Sequence, residues 1–367
     1  MPKNRINNPI CHFDIRPVSP FIKENLSQDS EQFFYIWLMV QALYNPFKTF
    51  EFSDQVCFLT GAKLHAVDEQ ISVFPCWLMQ RYELEDKPFK LLDESITSYK
   101  QLKIPCATDV ADTGIEPLEE SIQLAFMEGY QVVKKMPSIT LFQWMAKLVY
   151  GVIFNEIRIG IRQQKTAGEQ FTISQSLAHK FTNLHLMLQS LIRPVEFEGN
   201  LPWTIHVVPV SHSADLFSYR DEVNTLTFCL RMNDFGIIAC LQDNGANKIY
   251  HQDLLDKIKD APLHPIQFEE LCGRFFYSNY LFNRLPEYTI MPTEHVTYID
   301  AMPLQGISNK PLFDSWQTKT YGQVLANFWK AWNILLFDII KDPDKPMSFL
   351  LDEKGEFKPS STIAIPS

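Results

Sequence analysis

The chain of 367 residues carries a net charge of −10, with 46% hydrophobic and 21% charged residues. This is an ordinary globular composition, long enough for about two domains with large buried cores. The acidic balance argues against a broad basic surface for nucleic acid. The seven cysteines are widely spaced and imply no disulfide framework, and the first residues lack the apolar core of a signal peptide, so we expect a cytoplasmic protein.

The first 116 residues are predicted to form an arm followed by a module. Four prolines in the polar residues 1–30 indicate an irregular arm. A helix is predicted over residues 31–44. Its apolar run of about 12 residues is too short to cross a bilayer, so we expect this helix to be buried in the protein. No membrane partner is therefore expected. Within the module, residues 31–116, we expect a β-hairpin formed by Phe58–Gly61 and Ile71–Phe74, and then a helix from Pro75 through Tyr82.

The body, residues 117–345, is predicted to combine helices with an antiparallel meander. Apolar residues recur with the 3.6-residue helical period within residues 117–192 (most clearly over Ile139–Ile159), and again at 266–285 and 321–341. Between them, residues 203–241 contain three runs rich in β-branched residues, with Asn233-Asp234 as the expected hairpin turn. A further strand is expected at about 295–301, and residues 346–367 are predicted to be a tail. The fold class is therefore α+β.

Two short motifs have the form of zinc knuckles with incomplete ligand sets. The first is Cys57-x-x-Thr60-Gly61, and the second is Cys106-x-x-Asp109. Zinc prefers four nitrogen or sulfur ligands in a tetrahedron, usually supplied by two such pairs. A neutral hydroxyl is a poor zinc ligand, so only three plausible donors remain. We therefore expect Cys57 and Cys106 to be small core residues, with no metal and no other cofactor bound.

Together with the segment between them, these motifs resemble the HNH endonuclease family, in the subgroup with a four-cysteine zinc site. That segment is Ile71-Ser72-Val73-Phe74-Pro75-Cys76-Trp77-Leu78, and the resemblance covers roughly the first third of the chain. It places Ser72 at the position of the general-base histidine, with Ile71 at that of the acidic residue and Val110 at that of an asparagine. Thr60 and Asp109 stand where the family has cysteines. The resemblance thus implies a degenerate HNH-like hairpin–helix module packed on a mixed helical and antiparallel-sheet body.

The replaced positions determine the expected function. HNH chemistry needs a base that activates water and a divalent ion that stabilises charge on the phosphate. Serine at position 72 is no base, so we expect a non-catalytic binding or structural protein derived from an HNH-type nuclease, with no catalytic residues. Its partner would be a protein assembly or nucleic acid, with protein favoured by the acidic charge. The alternative is a metal-dependent HNH nuclease with relocated catalytic residues, using His65, Glu69 and Asp109.

Isolated polar residues in the body leave a third hypothesis, an enzyme site around His206, His212 and Asp243. Neither a serine elbow nor a second ligand pair accompanies them, so the histidines are interpreted as solvated polar positions. Glu156 interrupts the apolar face of a predicted helix. We expect it to pair with a nearby arginine, Arg158 or Arg162, rather than to act in catalysis.

Overall fold

The computed structural model describes residues 43–50, 52–66, 69–306, 308–342 and 345–363, without the side chains of residues 212–216. The arm predicted at 1–30 and nearly all of the helix predicted at 31–44 lie outside the described residues. The described part combines helices with small antiparallel and mixed sheets, so the predicted α+β class is confirmed.

The first module is built from short elements that depend on one another for their hydrogen bonds. They are helix α1 (Pro46–Thr49), strand β1 (Gln70–Ser72), helix α2 (Cys76–Arg81), and strands β2 (Pro88–Lys90), β3 (Ile96–Ser98) and β4 (Lys103–Pro105). Strand β2 pairs with β3, and β1 pairs antiparallel with β4.

The predicted hairpin between Phe58–Gly61 and Ile71–Phe74 was wrong, because the partner of β1 is β4. The earlier segment forms a turn of its own, flanked by a bridge between Val56 and Lys63. It also reaches the same strand, since the Phe58 N–H donates to the Pro105 carbonyl at 2.8 Å. Helix α2 lies where a helix was predicted after Pro75.

A run of helices follows the module. Helix α3 (Thr108–Val110) continues through a π-turn (Ala111–Ile115) into α4 (Glu116–Glu128), and then come α5 (Tyr130–Val133), α6 (Ser138–Ala167) and α7 (Gln175–Leu188). Helix α6 covers the segment with the clearest helical period and ends at Gly168, whose φ is +77°. Glycine adopts this left-handed conformation without a steric penalty, which is why it commonly ends helices.

After the short strand β5 (Val195–Glu198), two long strands dominate the sheet structure. Strands β6 (Thr204–Glu222) and β7 (Thr227–Cys240) pair antiparallel along most of their lengths. The turn predicted at Asn233-Asp234 was wrong, because residues 223–226 make the turn. Asn233 lies inside β7 with a φ of +50°, beside shifts in the strand register. Such a residue marks a β-bulge, which favours the same residue types as a tight turn.

Seven further α-helices and β-strands follow this hairpin in the described residues. They are α8 (Ala246–Tyr250), α9 (Gln252–Ile258), α10 (Pro265–Tyr280), β8 (Tyr288–Pro292), β9 (Thr297–Ala301), α11 (Thr318–Phe328) and α12 (Leu336–Ile339). Strand β9 is central in a three-stranded sheet, parallel to β5 and antiparallel to β8. The helix predicted at 321–341 is divided, since a 3₁₀ turn at Trp329–Trp332 separates α11 from α12.

Part of the segment predicted as a tail packs on α10. The Glu270 carboxylate, which is fully buried, accepts the backbone N–H groups of Phe349 (2.6 Å) and Leu350 (3.0 Å). Gln267 donates from its side chain to the Phe349 and Lys358 carbonyls at 2.8 and 2.7 Å. Buried polar groups require such partners, and these bonds hold residues 345–363 against the body.

The β6–β7 hairpin separates two clusters of buried apolar side chains. Alternate residues of β7 face opposite sides, so Ile237 contributes to the cluster shared with the first module, α6 and α7. Its neighbour Ile238 contributes to the cluster shared with α9, α10 and α11. Among the described residues, no helix has both the length and the apolar composition needed to cross a membrane.

Candidate functional site

Cys57 begins a tight turn that backbone hydrogen bonds close. The Gly61 N–H donates to the Cys57 carbonyl at 2.9 Å, and the Cys57 N–H donates to the Ala62 carbonyl at 2.8 Å. Gly61 has a φ of +71°, and a Cβ at this position would collide with the ring of Tyr44. Thr60 turns its hydroxyl inward and accepts the Ala62 N–H at 3.2 Å. Residues 57–62 therefore have the compact geometry of a knuckle.

The second turn begins where β4 ends. The Cys106 N–H donates to the Glu69 carbonyl at 3.0 Å, while Asp109 lies exposed in α3. The two cysteines are almost inaccessible, with Cys57 0% and Cys106 2% exposed, and both belong to the larger apolar core.

The two sulfur atoms lie within hydrogen-bond reach of each other. The backbone N–H groups of Ala107 and Leu59 and the Thr60 hydroxyl are also close enough to the Cys57 sulfur to lower the pKa of that thiol, and the Cys106 sulfur lies 3.5 Å from the Ala107 carbonyl oxygen. The bond from the Cys106 thiol is the largest of several causes that lower the pKa of Cys57, and the same bond raises the pKa of Cys106. Hydrogen bonds to a charged form stabilise it, so the negative charge of this pair belongs on Cys57 and the proton on Cys106.

The structure brings Cys57, Thr60 and Cys106 together, whereas the Asp109 side chain is exposed. Thr60 contacts the Cys57 sulfur, and the Asp109 carboxylate is close enough to Cys106 to raise the pKa of that thiol. A zinc site needs about four donors on one ion. In the part of the chain that the structure describes, no three His, Cys, Asp or Glu side chains are grouped so that they could hold a metal ion.

Ser72 lies in β1, and a buried lysine of α6 holds its backbone. Lys147 is 0% exposed, and its ammonium group donates to the carbonyls of Ser72 and Val73, both at 2.7 Å. Its third hydrogen bond goes to the Glu119 carboxylate at 2.6 Å. Because a buried charge without partners costs several kcal/mol, these acceptors fix β1 against α6. Lys147 was not among the predicted site residues, although a lysine within the apolar Ile139–Ile159 segment is a signal for such a contact.

Two more residues of α6 contact the first module from the same helix face. Gly151 approaches Val73 so closely that a Cβ would lie 2.8 Å from both methyl groups of the valine. Asn155 donates from its side chain to the Lys103 carbonyl in β4 at 3.2 Å. Lys147, Gly151 and Asn155 are four residues apart, which aligns them along a helix. One stripe of α6 thus holds both strands of the β1–β4 pair.

Helix α7 holds the first cysteine turn through His185. Its Nε2 atom lies 2.7 Å from the Phe58 carbonyl oxygen, and its Nδ1 atom lies 3.3 Å from the side-chain amide of Gln189. Since the carbonyl can only accept, Nε2 carries the proton and Nδ1 accepts from Gln189. Burial of the imidazole lowers its pKa to about 4, so His185 is neutral at pH 7. It acts here as a structural donor.

The residues of the relocated nuclease hypothesis are only partly brought together. One oxygen of the Glu69 carboxylate accepts the backbone N–H groups of His65 (2.7 Å) and Ala66 (3.0 Å), and the other accepts the Thr108 hydroxyl at 3.3 Å. The bonds from Ala66 and His65 are the main causes that lower the pKa of Glu69. This carboxylate links the residue 65–66 turn to α3, where Asp109 points to the exterior.

The prediction that Glu156 pairs with Arg158 or Arg162 was wrong. Glu156 accepts the Leu92 N–H at 2.7 Å, and burial, the largest cause, raises its pKa. Both arginines pair with Asp54. The reason is helical geometry, since Arg158 and Arg162 are four residues apart on one face and Glu156 lies on another.

The third hypothesis is not supported by a shared site. His206 lies within β6, where burial lowers its pKa to about 4 and its charged neighbours are Lys248, Lys134 and Asp260. Asp243 is fully buried and accepts hydrogen bonds from the Thr204 hydroxyl and the Asn247 N–H, both at 2.8 Å. None of the described contacts joins His206 to Asp243, and the side chain of His212 lies outside the described residues.

No protein-family model, no curated protein and no solved structure matches this chain. Its function therefore has to be inferred from its own residues and their geometry.

Proposed function

We propose that the protein is a non-catalytic binding protein whose first module descends from an HNH-type nuclease. The environment of the Cys57 sulfur is the observation that carries this proposal. The backbone N–H groups of Ala107 and Leu59 lower the pKa of this buried thiol, and such donors stabilise a thiolate, the form of cysteine that binds zinc. The Thr60 hydroxyl adds a hydrogen bond where the family supplies a second thiolate. The arrangement fits a former metal site whose cysteines now serve the core.

The position of Ser72 supports the loss of catalysis. A hydroxyl needs a neighbouring base before it can act as a nucleophile or take a proton from water. Among the described residues, no hydrogen bond joins the Ser72 hydroxyl to a histidine or carboxylate, and its carbonyl is engaged by Lys147. The surviving interactions in this region are structural.

We infer a cytoplasmic protein whose partner is a protein assembly. Its surface favours such a partner over nucleic acid. The net charge of −10 opposes binding to a polyanion. Ile249 and Tyr280 are 77% and 71% exposed, and the Tyr250 ring, 39% exposed, lies 4.4 Å from that of Phe313. Aromatic residues are enriched in protein interfaces, where charged residues are depleted.

Restoring the missing cysteines tests the descent from a four-cysteine site. We expect the double variant T60C/D109C to bind one zinc ion per chain, measured by elemental analysis after dialysis. Zinc should raise the melting temperature of this variant, and a chelator should reverse the increase. The wild-type protein is expected to bind none. The control variant T60C/D112C places the second thiol at an exposed position of the π-turn that follows α3. The proposal fails if the double variant retains no more zinc than this control, or if the wild type already holds stoichiometric zinc.

A cleavage assay separates this proposal from the relocated nuclease. We expect the wild type to leave supercoiled plasmid intact with Mg²⁺, Mn²⁺, Ni²⁺ or Zn²⁺ present. Metal-dependent cleavage that Glu69→Gln removes and the exposed control Glu85→Gln retains would establish the nuclease instead. Fluorescence anisotropy with labelled single- and double-stranded DNA at low salt tests the partner class. Salt-sensitive binding there would replace the protein assembly with nucleic acid.

A further inference from the structure

A cavity of about 650 Å³ opens where the tip of the β6–β7 hairpin meets β2, α10 and α11. This volume lies within the usual range of small-molecule sites, about 300–1,000 Å³. Its apolar walls are mainly aromatic, contributed by Phe89, Tyr99, Tyr219, Phe276, Tyr280 and Phe328. The residues that line the cavity are distinct from those of the two cysteine turns.

The aromatic walls are supported by contacts between rings. The Phe89 and Tyr99 rings meet edge to face with centroids 5.2 Å apart, and Phe276 and Phe328 meet in the same way at 5.2 Å. Tyr219 lies 6.4 Å from Phe89. The face of an aromatic ring carries partial negative charge, so it attracts cations.

The two basic residues at the cavity wall, Arg220 and Lys90, contact groups other than Asp221. The Arg220 guanidinium donates to the carbonyls of Asn327 (3.1 Å) and Phe328 (3.2 Å), and it lies 4.4 Å above the Phe328 ring centroid. Lys90 pairs with Glu94 at 3.3 Å on the exterior. Among the described residues, neither Arg220 nor Lys90 forms an ion pair with the Asp221 carboxylate.

The Asp221 carboxylate at this wall has no cationic partner in the described part of the chain. The charged groups that act on it, Glu222 and Glu156, are both negative. Its other titratable neighbours are two neutral phenols, that of Tyr219, which is within hydrogen-bond reach, and that of Tyr99. Burial is the largest cause that raises the pKa of Asp221 to about 7. The neighbouring Glu222 carboxylate is already used, since it accepts the backbone and side-chain N–H groups of Asn224 at 3.1 and 2.9 Å. Asp221 is thus a desolvated acceptor without a counter-charge.

We propose that this cavity binds a small organic cation, an alkyl- or arylalkylammonium compound, with its charge against Asp221 and its apolar body between the aromatic rings. An anion would be repelled by Asp221 and Glu222, and a neutral ligand would leave the buried carboxylate without a counter-charge. A divalent metal ion prefers several oxygen ligands, which these aromatic walls do not supply. The inference does not depend on the ancestry of the first module.

A matched pair of probes tests the proposal. 2-Phenylethylammonium and 2-phenylethanol have nearly the same size, and only the first is charged. We expect the amine to bind the wild type about tenfold or more tightly than the alcohol at pH 8, as measured by isothermal titration calorimetry. Asp221→Asn should remove that preference while leaving weak binding of both probes. The exposed control Asp253→Asn should retain the preference, and Tyr280→Ala should weaken both probes.

The pH dependence gives a second readout that does not rely on a variant. Because Asp221 must lose its proton to form the ion pair, the affinity for the amine should rise from pH 6 to pH 8, whereas that for the alcohol should stay constant. Equal binding of amine and alcohol, no binding of either at millimolar concentration, or an amine preference that survives in Asp221→Asn would each overturn the proposal.

Discussion

Replacing Lys147 with methionine should loosen the first module from α6, because one ammonium group joins three segments of the chain. Its acceptors are the carbonyls of Ser72 and Val73 at 2.7 Å and the Glu119 carboxylate at 2.6 Å. Each buried carbonyl left without a donor costs about 1–3 kcal/mol. Methionine also removes the desolvation cost of a buried ammonium, which offsets part of this loss. Removing one partner of a buried ion pair typically costs about 3–5 kcal/mol, and we expect a net loss of that size.

Urea denaturation followed by far-ultraviolet circular dichroism and tryptophan fluorescence measures this loss. The control is Lys90→Met, which breaks an ion pair whose side chains are 65% and 82% exposed and should change stability by less than about 0.5 kcal/mol. Hydrogen exchange adds a local readout, since the Val73 amide donates to the Leu102 carbonyl at 2.9 Å and should lose protection. A loss below about 1 kcal/mol in Lys147→Met, with Val73 still protected, would refute the role assigned to the lysine.

Three further predictions test separate contacts. Burial lowers the pKa of His185 in the folded protein to about 4, below that of a histidine in the unfolded chain. As pH falls, the imidazole of the unfolded chain is therefore protonated first, which favours unfolding. The free energy of unfolding should decrease between about pH 6.5 and pH 4, by at most about 1.4 kcal/mol per pH unit. Denaturation of His185→Gln should show a correspondingly shallower pH dependence, and an unchanged slope would contradict it. Gly151→Ala should lower stability by about 1–3 kcal/mol through overpacking against Val73, and truncating Val73 to alanine should restore part of the loss; a neutral effect would argue against the close approach. Glu270→Gln should make residues 345–363 sensitive to limited proteolysis, and an unchanged digestion pattern would show that other contacts hold them.

The helices could be predicted from the sequence because their pattern is local. The apolar period over Ile139–Ile159 is contained in one element, and α6 covers it. Strand pairing depends on residues far apart in the chain, so the partner of β1 could not be read from its own sequence. The Asn233-Asp234 pair shows the same limitation. Asparagine accommodates a positive φ in a hairpin turn and in a β-bulge alike, and only the register of β6 against β7 decides between them.

The sequence indicates which polar residues within helices need a partner, but it does not identify the partner. Glu156 and the buried Lys147 both interrupt apolar faces, which indicates that each needs a partner. Their partners, Leu92 for the first and β1 for the second, lie in segments more than sixty residues away along the chain. The cavity at Asp221 depends still more on tertiary structure, since its walls come from β2, the 3₁₀ turn Tyr99–Gln101, the β6–β7 hairpin, α10 and α11. An acid within a strand pattern gives no indication that aromatic rings from other elements surround it.

The two cysteine turns are held next to each other by a strand that belongs to neither motif. Strand β4 lies between them: Gln70 pairs with Pro105, which places Cys106 beside the end of β1, and the Phe58 N–H donates to the Pro105 carbonyl, which places Cys57 on the other side. Because backbone hydrogen bonds on both sides of β4 set the distance between the sulfurs, their contact requires no ion. The zinc-restoring variant T60C/D109C would therefore enter a frame that is already formed, and its metal affinity should exceed that of the misplaced control without a change in the β1–β4 register.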